Sequence, residues 1–300
     1  MEANGIGGGM ELASSIFYGY GEAGPNRQLI AHEMAHQWFG DSAAEKDWDD
    51  VWLSEGFATY FALLYEEFQD GHDAFLDGIR RSKVQAINYA LSHPDSTIVH
   101  NNLAYFSKVI ANNAQIYQGG AQVLQNIRGV IGTDTFWAGI RGYYGRFQNG
   151  SATTDDLRHA MEEACRSAGS ACPAEGKDLT WLFHELLHRG GALRVQGSWQ
   201  YDAVTKQVQV TLDQVQTSGL YRMPVEVGIT VMETPPANVR ADRTGAPVSA
   251  PSQPQPVQHM HVVQLDQQHH VFTLPLDSEP LSVALDPNQW VMMQAAFDKK

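Results

Sequence analysis

The stretch that most constrains the fold runs from His32 to Tyr60 and reads HEMAHQWFGDSAAEKDWDDVWLSEGFATY. Its first two histidines, His32 and His36, stand four residues apart. The apolar residues around them recur with the period of a helix: Leu29, Ile30, Met34, Ala35 and Phe39. Residues four apart project from the same face of a helix, so both imidazoles can bind one metal ion. The pattern therefore predicts that His32 and His36 are two ligands of one Zn²⁺ ion.

Two carboxylates complete the predicted site. Glu33 directly follows the first histidine, where it can take a proton from water at the metal without binding the ion. Glu55 comes from a second helix on an otherwise apolar face, where an unpaired carboxylate would be costly. As a third ligand it leaves the fourth tetrahedral position open, which is typical of a catalytic zinc. The alternative for the five-residue motif alone is a helix with two partly buried histidines hydrogen-bonded to backbone.

HEMAHQWFGD followed by DWDDVWLSEGFATYF resembles the zinc signature of the M1 aminopeptidases, a family of gluzincins. The likeness includes the Trp-Phe-Gly after the second histidine and the Trp-Leu-x-Glu-Gly-Phe-Ala around the third ligand. It implies one Zn²⁺ per chain, held by His32, His36 and Glu55, with Glu33 as general base. The same three ligands can also accept cobalt or manganese.

The resemblance implies an α+β chain of two domains. Residues 1–193 would form a mainly helical, thermolysin-like zinc metallopeptidase domain, and residues 194–300 an all-β, Ig-like sandwich. From Arg194 onward, β-branched residues alternate with polar ones over strand lengths, which supports the second part. Helical periodicity supports the first part, over 25–40, from Glu55 to about 69, 75–91, 116–131, 133–147, 153–168 and 178–188. Gly24-Pro25 predicts the start of the first of these helices, Asp70-Gly71 the end of the second, and Thr153-Thr154-Asp155-Asp156 an N-cap with an acidic first turn.

Family members carry a long β-domain ahead of this region, together with the first strands of the catalytic domain. This chain begins at Met1 with almost none of that material. We therefore expect it to be a fragment or a naturally trimmed form.

Gly8-Gly9-Met10-Glu11 resembles the Gly-Ala-Met-Glu-Asn motif that precedes the zinc helix in the family. The resemblance implies that these four residues bind substrate and that Glu11 pairs with its free α-amino group. Leu12 stands where the family has Asn, so one polar contact is missing. The alternative for Glu11 is a solvated residue near a frayed terminus.

Tyr117 lies in a segment, Ile116–Ala121, that resembles the family's Tyr-x-Lys-Gly-Ala. The resemblance implies that its hydroxyl stabilises the oxyanion of the tetrahedral intermediate, and a neutral phenol can donate to a developing negative charge. Gly119 replaces the usual lysine. The alternative for Tyr117 is an ordinary packed aromatic residue at a helix start.

Composition limits the partners. Thirty-four acidic and twenty basic residues give a formal net charge of −14, which argues against nucleic acid or an anionic membrane as partner. We find no apolar run of eighteen residues and no signal-peptide pattern, so no membrane span is expected and the compartment stays open. Cys165 and Cys172, the only two cysteines, form either one small disulfide or two free thiols.

Four histidines flank a predicted strand near the C-terminus: His259, His261, His269 and His270. They are either a second transition-metal site or, as we expect, exposed strand residues.

The sequence therefore predicts a zinc-dependent peptidase that releases N-terminal amino acids from peptides with a free N-terminus. Two alternatives remain open, a thermolysin-type endopeptidase and a catalytically inactive, truncated zinc-binding remnant. Oligomeric state and the preferred substrate side chain are not encoded in any pattern we recognise.

Overall fold

The structure is a computed structural model that describes residues 2–3, 7–21, 26–99, 114–234, 238–241, 247–250 and 253–300. The chain divides into two compact units. One consists of Met1–Arg194, Gln216–Met223 and Asn288–Gln294, and the other of Val195–Val215, Pro224–Pro287 and Ala295–Lys300. The predicted mixture of helices and sheets is confirmed, whereas the division at residue 194 and the Ig-like sandwich remain predictions.

Helices form most of the first unit. They are α1 (Arg27–His36), α2 (Trp52–Asp70), α3 (His72–Ser92), α4 (Gly120–Ile131), α5 (Thr133–Phe147), α6 (Thr154–Ala168) and α7 (Thr180–Leu187). A π-helical turn, Gln115–Gly119, leads directly into α4. Short 3₁₀ turns lie at Trp48–Asp50, Gly169–Ala171 and Ala174–Lys177.

The first helix is shorter at both ends than the predicted 25–40. The predicted start at Gly24-Pro25 lies outside the described residues. Asn26 is the N-cap, because its side-chain oxygen accepts a hydrogen bond from the backbone N–H of Leu29 at 3.0 Å. That bond satisfies one of the free amides at the helix start.

Beyond His36 the chain leaves the helix to make a tight turn. Phe39 forms a β-bridge with Ala43, and the N–H of Gly40 donates to the Ala43 carbonyl at 3.0 Å. Gly40 has φ +125°, a conformation that side chains disfavour. These contacts compete with continued helix, so α1 ends at the second histidine.

Helix α2 is the centre of the first unit and packs against α1, α3 and α4. Its N-terminal half is buried, including Trp52, Phe57 and Tyr60. At its crossing with α4 the backbones touch, because a Cβ placed on Gly56 would lie 2.8 Å from the Gly120 Cα. The helix ends at Asp70, where Gly71 has φ +93°, as the sequence predicted.

The predicted cap of α6 is also confirmed. Thr153 accepts a hydrogen bond from the N–H of Asp156, and the Asp156 carboxylate accepts one from the N–H of Thr153. This reciprocal capping box satisfies two amides at the helix start.

Short strands complete the first unit. β1 (Glu2–Ala3), β3 (Phe17–Gly19) and β2 (Gly9–Met10) form a sheet in that order, with β2 antiparallel to β3. β4 (Ala43–Glu45) pairs in parallel with β5 (Gly150–Ala152).

The remaining strands are β6 (Leu193–Asp202), β7 (Gln207–Gln214), β8 (Met223–Glu233), β9 (Asn238–Ala241), β10 (Pro247–Ala250), β11 (Gln255–Leu265), β12 (His269–Pro275), β13 (Ser282–Leu285) and β14 (Met293–Lys299). They form a four-stranded sheet in the order β12-β7-β6-β14, a three-stranded sheet β11-β8-β13 and the pair β10-β9. Alternate residues of β7 and β8 are buried, as expected for strands with one face on a core.

Cys165 and Cys172 form a disulfide, with their Cα atoms 5.3 Å apart. Of the two alternatives left open by the sequence, the structure therefore has the disulfide. It joins the end of α6 to the loop that follows. Among the described residues, no helix is both long enough and apolar enough to cross a membrane.

Candidate active site

The three predicted metal ligands meet at one point. His32 Nε2 lies 3.2 Å from Glu55 Oε2, His36 Nε2 lies 3.3 Å from the same oxygen, and the two imidazole nitrogens are 3.1 Å apart. Within the described part of the chain, these residues are the only group of three or more His, Cys, Asp or Glu residues that could hold an ion.

This triangle of atoms fits a zinc ion. Ligands at about 2.0–2.1 Å from a tetrahedral centre lie about 3.3–3.4 Å from one another, close to the separations observed here. Two imidazole nitrogens and one carboxylate oxygen are also the donor set of a catalytic zinc that keeps one coordination position for substrate.

The orientation of His36 is set by contacts behind it. Its Nδ1 donates to the Phe39 carbonyl at 3.1 Å and lies 3.0 Å from Ser54 Oγ. With the proton of the neutral ring on Nδ1, the lone pair is on Nε2 and faces the other two ligands. The turn after α1 and the start of α2 thus orient the His36 ring so that Nε2 is available to a metal ion.

The ionisation of the metal-free ligands reflects their closeness. Burial opposes charge on His36, but the hydrogen bond and negative charge of Glu55 raise the histidine's pKa to about 9. Burial would raise the pKa of Glu55, but its hydrogen bonds to His32 and His36 lower it to about 2. A metal ion would take the place of the proton on His36.

Glu33 is beside the triangle but outside it. The side chain is buried, with 4% of the residue exposed. It packs against the backbone of Gly9, since a Cβ on that glycine would lie 2.3 Å from the Glu33 carboxyl carbon. Burial, together with the charges of Glu11 and Glu55, raises the Glu33 pKa to about 7, against the opposing effect of His36.

Tyr117 reaches the same point from the π-helical turn. Its hydroxyl donates to Glu55 Oε1 at 2.9 Å, and its ring stacks at 6.0 Å on that of His32. π-Helical turns inside helices are frequent at functional sites. Burial and the carboxylate of Glu55 raise the tyrosine's pKa, so the phenol keeps its proton.

Glu11 directly follows β2 and lies beside the C-terminal end of α1. Its backbone carbonyl accepts a hydrogen bond from Gln37 Nε2 at 3.0 Å. The Gln37 side chain also accepts a hydrogen bond from the N–H of Ser14 at 2.8 Å and donates one to Asp41 Oδ2 at 2.7 Å. Gln37 thereby joins the segment that carries Glu11 to the C-terminal end of α1.

These groups line one cavity of about 750 Å³. The predicted substrate-binding residues Gly8, Gly9, Met10 and Glu11 all lie on its wall. So do the predicted ligands, Glu33 and Tyr117. The structure brings every residue predicted for the site to this cavity.

Sequence reasoning missed two parts of the site. Gln37 was part of the quoted motif, but its role requires contacts with residues 23 and 26 positions away. The wall from α3, which includes Arg81 and Ser82, carries no recognisable motif.

The four C-terminal histidines lie in or beside β11 and β12. His259 pairs with Glu233 at 2.6 Å and His269 with Asp213 at 2.6 Å, and both are exposed. Neither belongs to a group of three possible ligands among the described residues. Surface pairs on strands account for these two. His261 and His270 are less exposed than expected, and His270 Nε2 accepts hydrogen bonds from the N–H groups of Asp266 and Gln267.

The profile of the peptidase family M1 domain matches residues 22–186, which is more than half of the chain. "Probable aminopeptidase 1" of Sulfurisphaera tokodaii is 30% identical over 207 residues, covering 66% of this chain and 24% of the relative. "Endoplasmic reticulum aminopeptidase 2" of Bos taurus is 34% identical over 154 residues, covering 48% of this chain and 15% of the relative. The chain thus spans a quarter or less of the length of these relatives.

Among solved structures, Legionella pneumophila aminopeptidase A in complex with aspartic acid aligns with a TM-score of 0.68 at 17% sequence identity. The alignment covers 97% of this chain and 30% of that one, which shows a shared fold. With its zinc-type triangle, its buried Glu33 and a family match over most of the first unit, this chain belongs to peptidase family M1.

Proposed function

We propose that this chain is a zinc-dependent aminopeptidase that removes N-terminal amino acids from peptides. The observation that carries the proposal is the single cavity that joins the ligand triangle, the buried Glu33 and the carboxylate of Glu11. His32, His36 and Glu55 would hold the ion. A bound Zn²⁺ supplies Lewis acidity, polarising the scissile carbonyl and lowering the pKa of water.

Glu33 is the general base in this proposal. Its carboxylate accepts the proton of the attacking water and later delivers it to the departing amine. A pKa near neutrality suits a group that must both take and return a proton at neutral pH. The contact with Gly9 keeps the carboxyl at the cavity wall.

Tyr117 donates to the oxyanion that forms from the scissile carbonyl. Its hydroxyl is bonded to Glu55 in this structure and so already lies at the ligand triangle. Tyr117→Phe should lower kcat by about a hundredfold, the cost of one oxyanion donor, with little change in KM. An unchanged kcat would reduce Tyr117 to a packing role.

Glu11 selects substrates that have a free N-terminus. Its carboxylate would pair with the α-ammonium group and place the first peptide bond at the metal. The other two interpretations of the sequence, endopeptidase and inactive remnant, make different predictions for a substrate whose amine is blocked.

The test uses two fluorogenic peptides that differ only in N-terminal acetylation, each with and without a zinc chelator. We expect chelator-sensitive cleavage of the free peptide alone. Glu33→Gln should lose about a hundred- to ten-thousand-fold in rate while zinc content stays unchanged. The control Glu163→Gln alters an exposed carboxylate of α6 and should keep full activity.

Each alternative has its own outcome. Equal cleavage of the acetylated peptide would identify an endopeptidase. No cleavage of either peptide by folded, zinc-loaded chain would identify an inactive remnant.

We also infer that the sheets β12-β7-β6-β14 and β11-β8-β13 face one another in the Ig-like sandwich that the resemblance implies. The buried alternate residues of β7 and β8, such as Val210 and Ile229, support this. Methyl NOEs between strands of the two sheets would test it, and their absence would reject the sandwich.

A further inference from the structure

The residues that line the cavity define the direction in which a bound peptide would lie. Glu11 is held at the C-terminal end of α1 through Gln37. At the opposite end of that helix, Gln28 and Leu29 line the cavity, with the metal ligands between the two ends. If the substrate's amine lies at Glu11, the part of the peptide beyond the scissile bond extends toward Gln28.

Helices α2 and α3 form the wall of this distal half. From α2 come Thr59, Ala62 and Leu63, and from α3 Gly78, Arg81, Ser82 and Gln85. Most of these side chains are small or uncharged, so they leave room for a peptide. A second, smaller cavity of about 210 Å³ adjoins this end and shares Asn26 and Gln28 with the first.

The charges in the main cavity are separated. The carboxylates among its described lining residues, those of Glu11, Glu33 and Glu55, all belong to the part already assigned to the amine, the base and the metal. Arg81 is the one lysine or arginine among the described lining residues. It lies at the distal end, because it contacts Glu66, which lines the adjoining smaller cavity with Asn26 and Gln28.

The guanidinium of Arg81 has capacity for another carboxylate. Among the described residues its hydrogen-bond partner is Glu66, at a long distance of 3.5 Å from Nη2 to Oε2, and the Arg81 side chain is 61% exposed. A guanidinium has five N–H donors in a planar fork that suits a carboxylate. Most of these donors face water and can be exchanged for ligand oxygens at little cost.

The distance from the metal can be estimated along α2. The Arg81 guanidinium is beside Glu66, and a Cβ on Gly78 would lie 3.7 Å from Arg81 Nη2 and 2.6 Å from Leu63 Cδ2. From Glu55 to Leu63 or Glu66 is eight or eleven residues, or about 12–16 Å of helix. An extended peptide advances about 3.3 Å per residue, so this span corresponds to about three to four residues plus the side chain's reach.

We propose that Arg81 is a specificity residue that binds a substrate carboxylate about three or four residues beyond the scissile bond. The site would therefore favour acidic side chains at those positions, or short peptides whose C-terminal carboxylate falls there. This proposal rests on the proposed aminopeptidase function, because that function sets the direction of the bound peptide.

Two series of peptides separate the two sources of carboxylate. In the first, Asp is moved through positions 2–6 of a C-terminally amidated hexapeptide, with Asn at the same position as reference. In the second, tri- to hexapeptides are compared as free acids and as amides. We expect about a three- to tenfold lower KM for Asp over Asn at positions 4 or 5, and for the free acid at four or five residues.

The variants identify the residue responsible. Arg81→Gln should abolish both preferences, so that Asp and Asn peptides have equal KM, as do free acids and amides. Arg80→Gln is the matched control, because Arg80 is adjacent on α3, pairs with Asp77 and does not line the cavity. Glu66→Gln should strengthen the preference, since it removes the competing carboxylate.

Binding is measured separately from turnover in the Glu33→Gln background, by fluorescence anisotropy of the labelled peptides. The Asp-to-Asn ratio of Kd values should match the ratio of KM values. Turnover and binding without a carboxylate preference, or a preference that survives Arg81→Gln, would overturn this proposal alone. Absence of turnover would refute the proposed function, and the Kd ratio would still decide the role of Arg81.

Discussion

At the scale of single residues, Gln37 fixes the position of Glu11 relative to His36. It directly follows His36, and its side-chain amide hydrogen-bonds to Ser14, to the Glu11 carbonyl and to Asp41. The position of Glu11 relative to the triangle of candidate ligands therefore depends on the side chain that follows α1. In the proposed function Glu11 anchors the substrate amine, so a shift of about an ångström would displace the scissile bond from the metal site.

We expect Gln37→Ala to raise KM for free-amine peptides by about tenfold, with a smaller effect on kcat, because it releases the segment that carries Glu11. Steady-state kinetics on the free and acetylated peptides would measure this. Gln148→Ala is the control, since that exposed amide donates only to the Gly145 carbonyl at 3.4 Å among the described contacts. If the role of Gln37 is purely structural, Gln37→Ala will lower thermal stability and leave KM unaffected.

At the scale of elements, the site depends on the crossing of α2 and α4. Glu55 stands one residue before Gly56, and Tyr117 stands three before Gly120, the two glycines whose backbones touch. Their close approach brings the tyrosine hydroxyl within hydrogen-bonding distance of Glu55. A residue with a side chain at the crossing would push the helices apart and separate the two functional groups.

Gly56→Ala should therefore destabilise the chain by about 1–3 kcal/mol, because the new Cβ would overpack against the α4 backbone. It should also lower kcat as Tyr117 moves away. Urea unfolding measures the first effect. Gly142→Ala in α5 is the control, since a Cβ there meets nothing within 4 Å and should raise stability by up to about 1 kcal/mol. Equal stability of the two variants would contradict the close crossing.

At the scale of the whole molecule, we expect stability to depend on whether a proton or a metal ion occupies the ligand triangle. The pKa of His36, raised to about 9 in the metal-free chain, lies above its usual 6.5. Its protonation stabilises the fold below pH 6.5, and this stabilisation is lost as pH rises through 9. Burial raises the Glu33 pKa from 4.5 to about 7, so the free energy of unfolding also falls as Glu33 ionises between pH 4.5 and 7.

We expect the free energy of unfolding of the chelated chain to fall by about 1–3 kcal/mol between pH 6.5 and 9. The zinc-loaded chain should fall less, because the ion replaces the proton on His36. Urea unfolding at three pH values, with chelator or with zinc, measures both. His36→Asn should flatten the dependence of the chelated chain, whereas the exposed His159→Asn should not. Parallel curves with and without zinc would refute the linkage.

The sequence alone determined what depends on local geometry. The side chains of His32 and His36 lie side by side because residues four apart share a face of any helix, whatever surrounds them. The end of α2 at Gly71 and the cap at Thr153 were predictable for the same reason, because both effects are local. Glycine adopts the positive φ that ends a helix, and the threonine hydroxyl accepts a hydrogen bond from a backbone N–H of the first turn. The single Glu on an apolar face similarly indicated the third ligand.

Tertiary structure decided what depends on packing between distant segments. Tyr117 meets Glu55 across 62 residues, and Gln37 meets Glu11 across 26. Arg81 reaches the cavity because α3 packs against α2 at Gly78. No spacing rule relates such residues, because their separation in space is set by helix crossings and turns formed by other side chains. The sequence therefore determined which chemical groups lie along the zinc-type motif, and the fold decided which distant residues join them in one cavity.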